Sequence, residues 1–293
     1  MQTDTLISAL PGAWLKTGLF CALTSALFVG VAPPAAKADL LAEVKQRGTL
    51  TVGTEARFPP FEFVKDGKIV GYSTDLMEHI LKELPNVEYK QLDLPWQGIL
   101  PGLAAKRFDY VITSVTATKE RYEKYHLSLP IADATVAALK RKGDDSITKE
   151  EDLAGKVAAS QTGSGQLQAL EGVAARLKEA GTPVASVRTY VDFGEAYADL
   201  AAGRLAVVVN SLPNLLEAVR QRPEAFEVVP LASVPKTYFS WAGRKDADSA
   251  TLNEFFDQQI RRLNEDGTLA ELQKKWFGDV MEVPSDKLPV PSE

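Results

Sequence analysis

Residues 108–121 read FDYVITSVTATKER. Tyr110-Val111-Ile112 is the short apolar run of a buried strand. Hydroxyl-bearing residues follow at once, through Thr113, Ser114, Thr116 and Thr118, and then Lys119, Glu120 and Arg121. Hydroxyls and free N–H groups at the C-terminal edge of a strand sit where open α/β sheets bind ligands. An arginine in that place can form a bidentate pair with a carboxylate. A helix-capping threonine followed by a solvated arginine gives the same spacing, so the spacing alone leaves both readings open.

Working outward, the chain alternates between strand and helix patterns. Thr49–Gly53 alternates as a strand, and Phe58-Pro59-Pro60-Phe61 is a rigid aromatic loop. Asp66-Gly67 is a turn between Phe63-Val64 and Ile69-Val70, so a β-hairpin is expected. Asp75 is expected to open a helix, with Glu78 at the capping-box spacing and Leu76, Met77, Ile80, Leu81 and Leu84 as its apolar face. A strand over 87–92 and a helix over 96–105 follow. Beyond residue 121, strands are expected over 136–139, 157–159, 184–190, 205–209 and 238–241, with helices over 166–180 and 195–202. A long helix carries Leu252, Phe255, Phe256, Ile260 and Leu263 at a helical period. The tail after Asp279 is rich in proline and charge, which places it on the surface. Such alternation predicts an α/β fold with largely parallel pairing.

A second strand-to-helix junction reads Gln161-Thr162-Gly163-Ser164-Gly165. Glycines let a backbone approach an anion, and a helix N-terminus favours negative charge. The junction lacks the lysine of a Walker A loop and the spacing of a dinucleotide fingerprint, so an ordinary turn is an equal reading. Phe58, Phe61 and Trp96 lie near strand ends, where an aromatic either packs into the core or flanks a ligand.

Composition narrows the field. The chain has 293 residues, enough for two domains, and a net charge of −6 argues against nucleic acid as a partner. One cysteine, Cys21, excludes a disulfide scaffold and a cysteine-based zinc site, and His79 and His126 are the only histidines. His79 is expected as a partly exposed residue of the helix that carries Met77 and Ile80, His126 has no partner at catalytic spacing, and no metal and no cofactor is expected. Thr17–Ala32 carries no charge, is preceded by Lys16 and followed by Pro33-Pro34, and leads to Ala36-Lys37-Ala38. A run shorter than about 20 apolar residues with a small-residue cleavage site is the pattern of a secretory signal peptide over residues 1–38. Export to the periplasm with cleavage near Ala38 is expected; an uncleaved membrane anchor is the alternative.

Three blocks together resemble the family 3 periplasmic solute-binding proteins of polar amino-acid ATP-binding-cassette (ABC) transporters. They are Gly71–Leu76 followed by Trp96–Pro101; Phe108-Asp109-Tyr110 through Thr116–Arg121 to Ser128-Leu129-Pro130; and Glu265–Leu269 with Lys275–Gly278. The resemblance implies a type II, two-lobe α/β periplasmic binding protein fold whose lobes are joined by two crossing strands. Lobe 1 would combine residues 39–135 with 236–293, and lobe 2 would be 136–235. It also implies a small carboxylate ligand, an amino acid or a derivative, enclosed between the lobes of a monomer and delivered to an ABC transporter permease. On the family pattern Arg121 grips the ligand carboxylate, helped by the hydroxyls of Thr116 and Ser164. The carbonyl of Ser114 takes the α-amino group, Phe58 stacks over the side chain with Trp96 nearby, and Glu55 matches a contact to cationic side chains. Where amino-acid-binding members carry an aspartate for the α-ammonium, this chain has Ser211. Either the ligand lacks a free α-amine or another acid, such as Asp192 or Glu55, takes over. Two alternatives to simple binding stand beside this: a cyclohexadienyl dehydratase-like enzyme, and a ligand sensor for a membrane receptor.

Overall fold

The computed structural model describes residues 39–290; the expected leader over 1–38 lies outside them. From its start the described chain forms α1 (Leu40–Arg47), β1 (Thr49–Thr54), β2 (Arg57–Phe58), β3 (Glu62–Lys65), β4 (Lys68–Val70), α2 (Tyr72–Ile80), β5 (Glu88–Asp93), α3 (Trp96–Ala104), β6 (Tyr110–Thr116), α4 (Lys119–Lys124), β7 (Tyr125–Leu127) and β8 (Ala132–Asp133). It continues with β9 (Val136–Arg141), β10 (Val157–Gln161), α5 (Gly165–Glu179), β11 (Ser186–Tyr190), α6 (Phe193–Ala201), β12 (Val207–Ser211), α7 (Leu212–Gln221) and β13 (Phe226–Pro230). It ends with β14 (Tyr238–Arg244), α8 (Ala250–Glu265) and α9 (Thr268–Phe277).

Two main sheets result, one in each lobe. The first runs β5-β1-β6-β14-β7, with β8 also on β14; the second runs β11-β10-β12-β9-β13. The pairs β1–β5, β1–β6, β10–β11 and β10–β12 are parallel, whereas β14 and β9 are antiparallel to their neighbours. The chain passes from first sheet to second between Asp133 and Val136, and returns between Pro230 and Tyr238. The two passages are hydrogen-bonded to each other, Ala134 N donating to Thr237 O at 2.9 Å. The fold is therefore the two-lobe, type II periplasmic binding protein architecture.

All seven residues of β6 are buried, because it lies between β1 and β14 with both faces covered. The exposed edge strand β5 alternates polar residues instead. The apolar stripe of α8 is buried as its period requires, and Phe256 stacks on Tyr110 with centroids 4.2 Å apart. The 58–61 loop closes with Phe61 against Tyr72, Phe239 and Phe277.

Two local expectations need correction. Asp75 does not open its helix: α2 begins at Tyr72, with no side-chain cap. Its first amides are satisfied by the aromatic loop, Tyr72 N donating to Pro60 O and Ser73 N to Phe61 O. That approach requires glycine before it. Gly71 sits at φ 131°, and a Cβ there would fall 2.3 Å from Phe61 O. Asp75 accepts instead from Lys275 Nζ and Trp276 Nε1, both at 2.6 Å, tying α2 to α9. The tail after Asp279 is largely on the surface, but Leu288 is buried beside Tyr122, Tyr125 and Leu127.

Candidate functional site

The C-terminal edge of β6 and the N-terminus of α4 set the first half of the site. Thr118 caps α4, its hydroxyl accepting from Arg121 N at 3.3 Å, so Arg121 lies in the first turn and points back toward the sheet edge. Its side chain is buried, with Nη1 donating to Thr116 O and Nη2 to Gly163 O, each at 3.0 Å. The guanidinium lies 4.8 Å from the Trp96 ring centroid. Burial pushes its pKa down to about 10, still far enough above neutrality to keep the charge.

The second half comes from the other lobe. Ser164 caps α5, accepting from Leu167 N at 3.0 Å. Gly163, at φ 70°, presents its carbonyl to both Arg121 and Trp96 Nε1, the latter at 2.9 Å. Gln166 Nε2 reaches Thr116 Oγ1 at 3.3 Å, and Gln97 Nε2 reaches Thr162 O at 3.2 Å. Gln161, at the end of β10, donates to Glu55 Oε1 at 2.5 Å. Glu55 is nearly fully buried at the end of β1; burial first, then the Glu62 charge, raises its pKa to about 8 against the bond from Gln161. Phe58 packs on Phe193 of the second lobe with centroids 5.7 Å apart.

These side chains enclose one cavity. It is lined by Glu55, Phe58, Trp96, Ser114, Thr116, Arg121, Gln161, Ser164, Gly165 and Gln166, and its volume is about 10 Å³, room for about one water. Seven of the eight residues expected from the sequence are thus brought together, and the lobes are nearly closed on each other. Ser211 is not among them. It is fully buried at the start of α7, bonded to Asn210 and Asn214. Asp192 does not line the cavity either; it caps α6 by accepting from Glu195 N at 3.1 Å.

Sequence reading missed three polar residues here. Gln161 and Gln166 flank the glycine-rich junction, and their position at a strand's C-terminal edge was the available signal. Glu62 had none: it lies between Phe61 and Phe63 in a hairpin strand, where alternation assigns it to solvent. In the fold it is wholly buried and receives Thr113 Oγ1 at 2.5 Å, Ser114 N at 2.8 Å and Ser73 Oγ at 2.8 Å. Burial raises its pKa to about 7 in spite of these bonds.

Two larger grooves, of about 690 and 450 Å³, flank the interlobe passages. Among their charged groups, Arg220 pairs with Glu217, Lys236 with Asp133 and Arg176 with Glu150. The small cavity joins a buried cation, Arg121, a buried acid, Glu55, and two aromatic rings of the first lobe, Phe58 and Trp96, to polar residues of the second. Among the described residues there is no cluster of histidine, cysteine and acids suited to a metal, and no helix long and apolar enough to cross a membrane. His126 sits 3.0 Å from Asp257, away from the cavity.

Known proteins share the sequence pattern and the fold. The L-cystine-binding protein TcyJ of Escherichia coli (strain K12) is 33% identical over 245 residues, covering 82% of this chain and 86% of that protein. An ancestral arginine-binding protein solved with bound glutamine is 35% identical with a TM-score of 0.69, covering 80% of this chain and 99% of that one. An ancestral amino acid-binding protein described as a precursor of cyclohexadienyl dehydratase is 30% identical with a TM-score of 0.70, covering 82% and 100%. Residues 50–279 match the model of the bacterial extracellular solute-binding proteins, family 3. Given that match over most of its length, the chain belongs to the family 3 extracellular solute-binding proteins.

Proposed function

We propose that the protein captures a small zwitterionic carboxylate, an amino acid with a second cationic group such as arginine or cystine, and hands it to an ABC transporter. The observation that carries this reading is Arg121: a buried guanidinium whose hydrogen bonds go to two carbonyl oxygens, facing a cavity shared by both lobes. A charge removed from water is costly unless it is paired. A carboxylate would replace the carbonyls of Thr116 and Gly163 with a bidentate pair that also neutralises the buried charge.

The cavity is too small for an amino acid while the lobes stay as close as they are. Ligand therefore parts the contacts made to Gly163 and Gln161, and the lobes, 39–135 with 236–293 against 136–235, re-close on it. Glu55 is the acid nearest to hand for a cation, since Ser211 and Asp192 lie outside the cavity. This supports replacement of the family aspartate by another acid over a ligand without an amine. Phe58 and Trp96 flank the bound side chain, and Ser114, Thr116 and Ser164 complete the polar wall. The chain acts as a monomer in the periplasm, after removal of residues 1–38. Thermal-shift screening of amino acids and their derivatives tests the reading. Arginine or cystine should raise the melting temperature most, and a screen in which no carboxylate does so refutes it.

One observation favours an enzyme as a second reading. Glu55 is a buried acid with a pKa near 8 inside the cavity, which is what general-acid expulsion of a leaving group requires. Aromatic product from prephenate or arogenate would favour that reading; none would support binding without turnover.

A further inference from the structure

The family resemblance puts Ser211 at the place of the ammonium-binding aspartate, yet its hydroxyl is committed elsewhere. It bonds to Asn214 Oδ1. The other end of that amide, Nδ2, donates to Pro59 O at 2.7 Å. Asn214 belongs to α7 in the second lobe, while Pro59 follows Phe58 in the first. Both Ser211 and Asn214 are buried, at 0% and 3% exposure, and neither lines the cavity. Ser211 N also donates to Asn210 Oδ1 at 2.7 Å.

We infer that Ser211 and Asn214 form a polar latch that draws the lobes together and re-forms when they close again on ligand, without touching the ligand. The chemistry fixes each partner. A proline carbonyl only accepts, so the amide must turn its NH2 toward Pro59. Its oxygen then faces Ser211, which must donate, and a hydroxyl does so. An ionised aspartate at 211 cannot donate. It would draw the NH2 to itself and turn the amide oxygen against Pro59 O, leaving two acceptors facing each other. The serine is thus the residue that orients the amide across the lobes. When the lobes part, Pro59 O and Asn214 both return to water, so the bond exists only in the closed state. A contact present in one state alone shifts the population toward that state.

The inference rests on the solute-binding reading, and its test separates the two. Full-length wild type, Asn214→Ala, Ser211→Ala and Ser211→Asp are compared by small-angle X-ray scattering without added ligand, and by calorimetric titration with arginine, cystine and glutamine. Asn214→Ala should enlarge the radius of gyration and weaken all three ligands by one common factor, about 3- to 10-fold. The order of preference should not change, because the latch touches none of them. Ser211→Ala, which removes one hydroxyl and serves if the larger changes impair folding, should show the same uniform loss to a lesser degree. Ser211→Asp should weaken binding although it adds an acid. Wild-type scattering together with wild-type affinities in Asn214→Ala overturns the latch. So does Ser211→Asp that binds amino acids as well as wild type or better. If wild type binds none of the ligands, the solute-binding reading fails, and the scattering comparison still decides the latch.

Discussion

Gly165 of the second lobe meets Thr116 of the first so closely that a Cβ on the glycine would lie 2.7 Å from Thr116 Cβ and 2.8 Å from Cγ2. Both partners of this contact line the cavity. Closure is therefore limited by one missing methyl group, and the glycine-rich junction is needed for approach between lobes as much as for turn geometry.

Replacing Gly165 by alanine should hold the lobes apart. Gly165 begins α5, where alanine is the better helix former, so unfolding midpoints should stay at or above those of wild type. Ligand affinity should fall at least 10-fold, read by calorimetry beside a denaturation curve. Affinity equal to wild type would mean that the lobes, once re-closed on ligand, do not bring Gly165 back against Thr116.

The acid in the cavity gives the pH dependence a sign. With a pKa near 8, Glu55 is mostly protonated at neutral pH. Pairing with a cation requires its ionised form, so binding expels a proton. Affinity for arginine should rise by about tenfold per pH unit as pH climbs toward 8 and then level off. Glu55→Gln should lose this slope and bind arginine more weakly, as titrations from pH 5.5 to 9 will report. A flat wild-type profile would remove Glu55 from the cation's place.

Stability without ligand should run the other way. Glu55 and Glu62 both have raised pKa values in the fold, to about 8 and about 7, against an ordinary value of 4.5. The fold therefore binds more protons than the unfolded chain between these limits. Their contribution is fully present below about pH 4.5 and is lost as pH rises through 7 and 8. Denaturation midpoints should fall between pH 5 and 9, and Glu55→Gln with Glu62→Gln should flatten the fall. An equal slope in the double variant would show that other groups set it.

Some of this arrangement could be read from local sequence and some could not. The β6 strand and the α8 face were legible because burial there follows a short-range period, and Arg121 and Ser164 because each follows a strand's polar edge. Glu62 was illegible because hairpin alternation points it outward, while its actual partners, Thr113, Ser114 and Ser73, come from other segments. The start of α2 was misread at Asp75 because backbone carbonyls of the 58–61 loop, not a side chain, satisfy its first amides. Sequence alone makes Ser211 a lost ammonium contact; its hydroxyl is instead engaged by Asn214, which comes next to Pro59 only in the folded chain.

The account turns on a carboxylate meeting Arg121, and paired titrations test that most directly. Arginine and agmatine, which lacks the carboxylate, are titrated into wild type and Arg121→Ala. Wild type should prefer arginine by at least 100-fold, and Arg121→Ala should lose about 2–5 kcal/mol of arginine binding and with it most of that preference. An Arg121→Ala protein that still separates arginine from agmatine as wild type does would contradict the account.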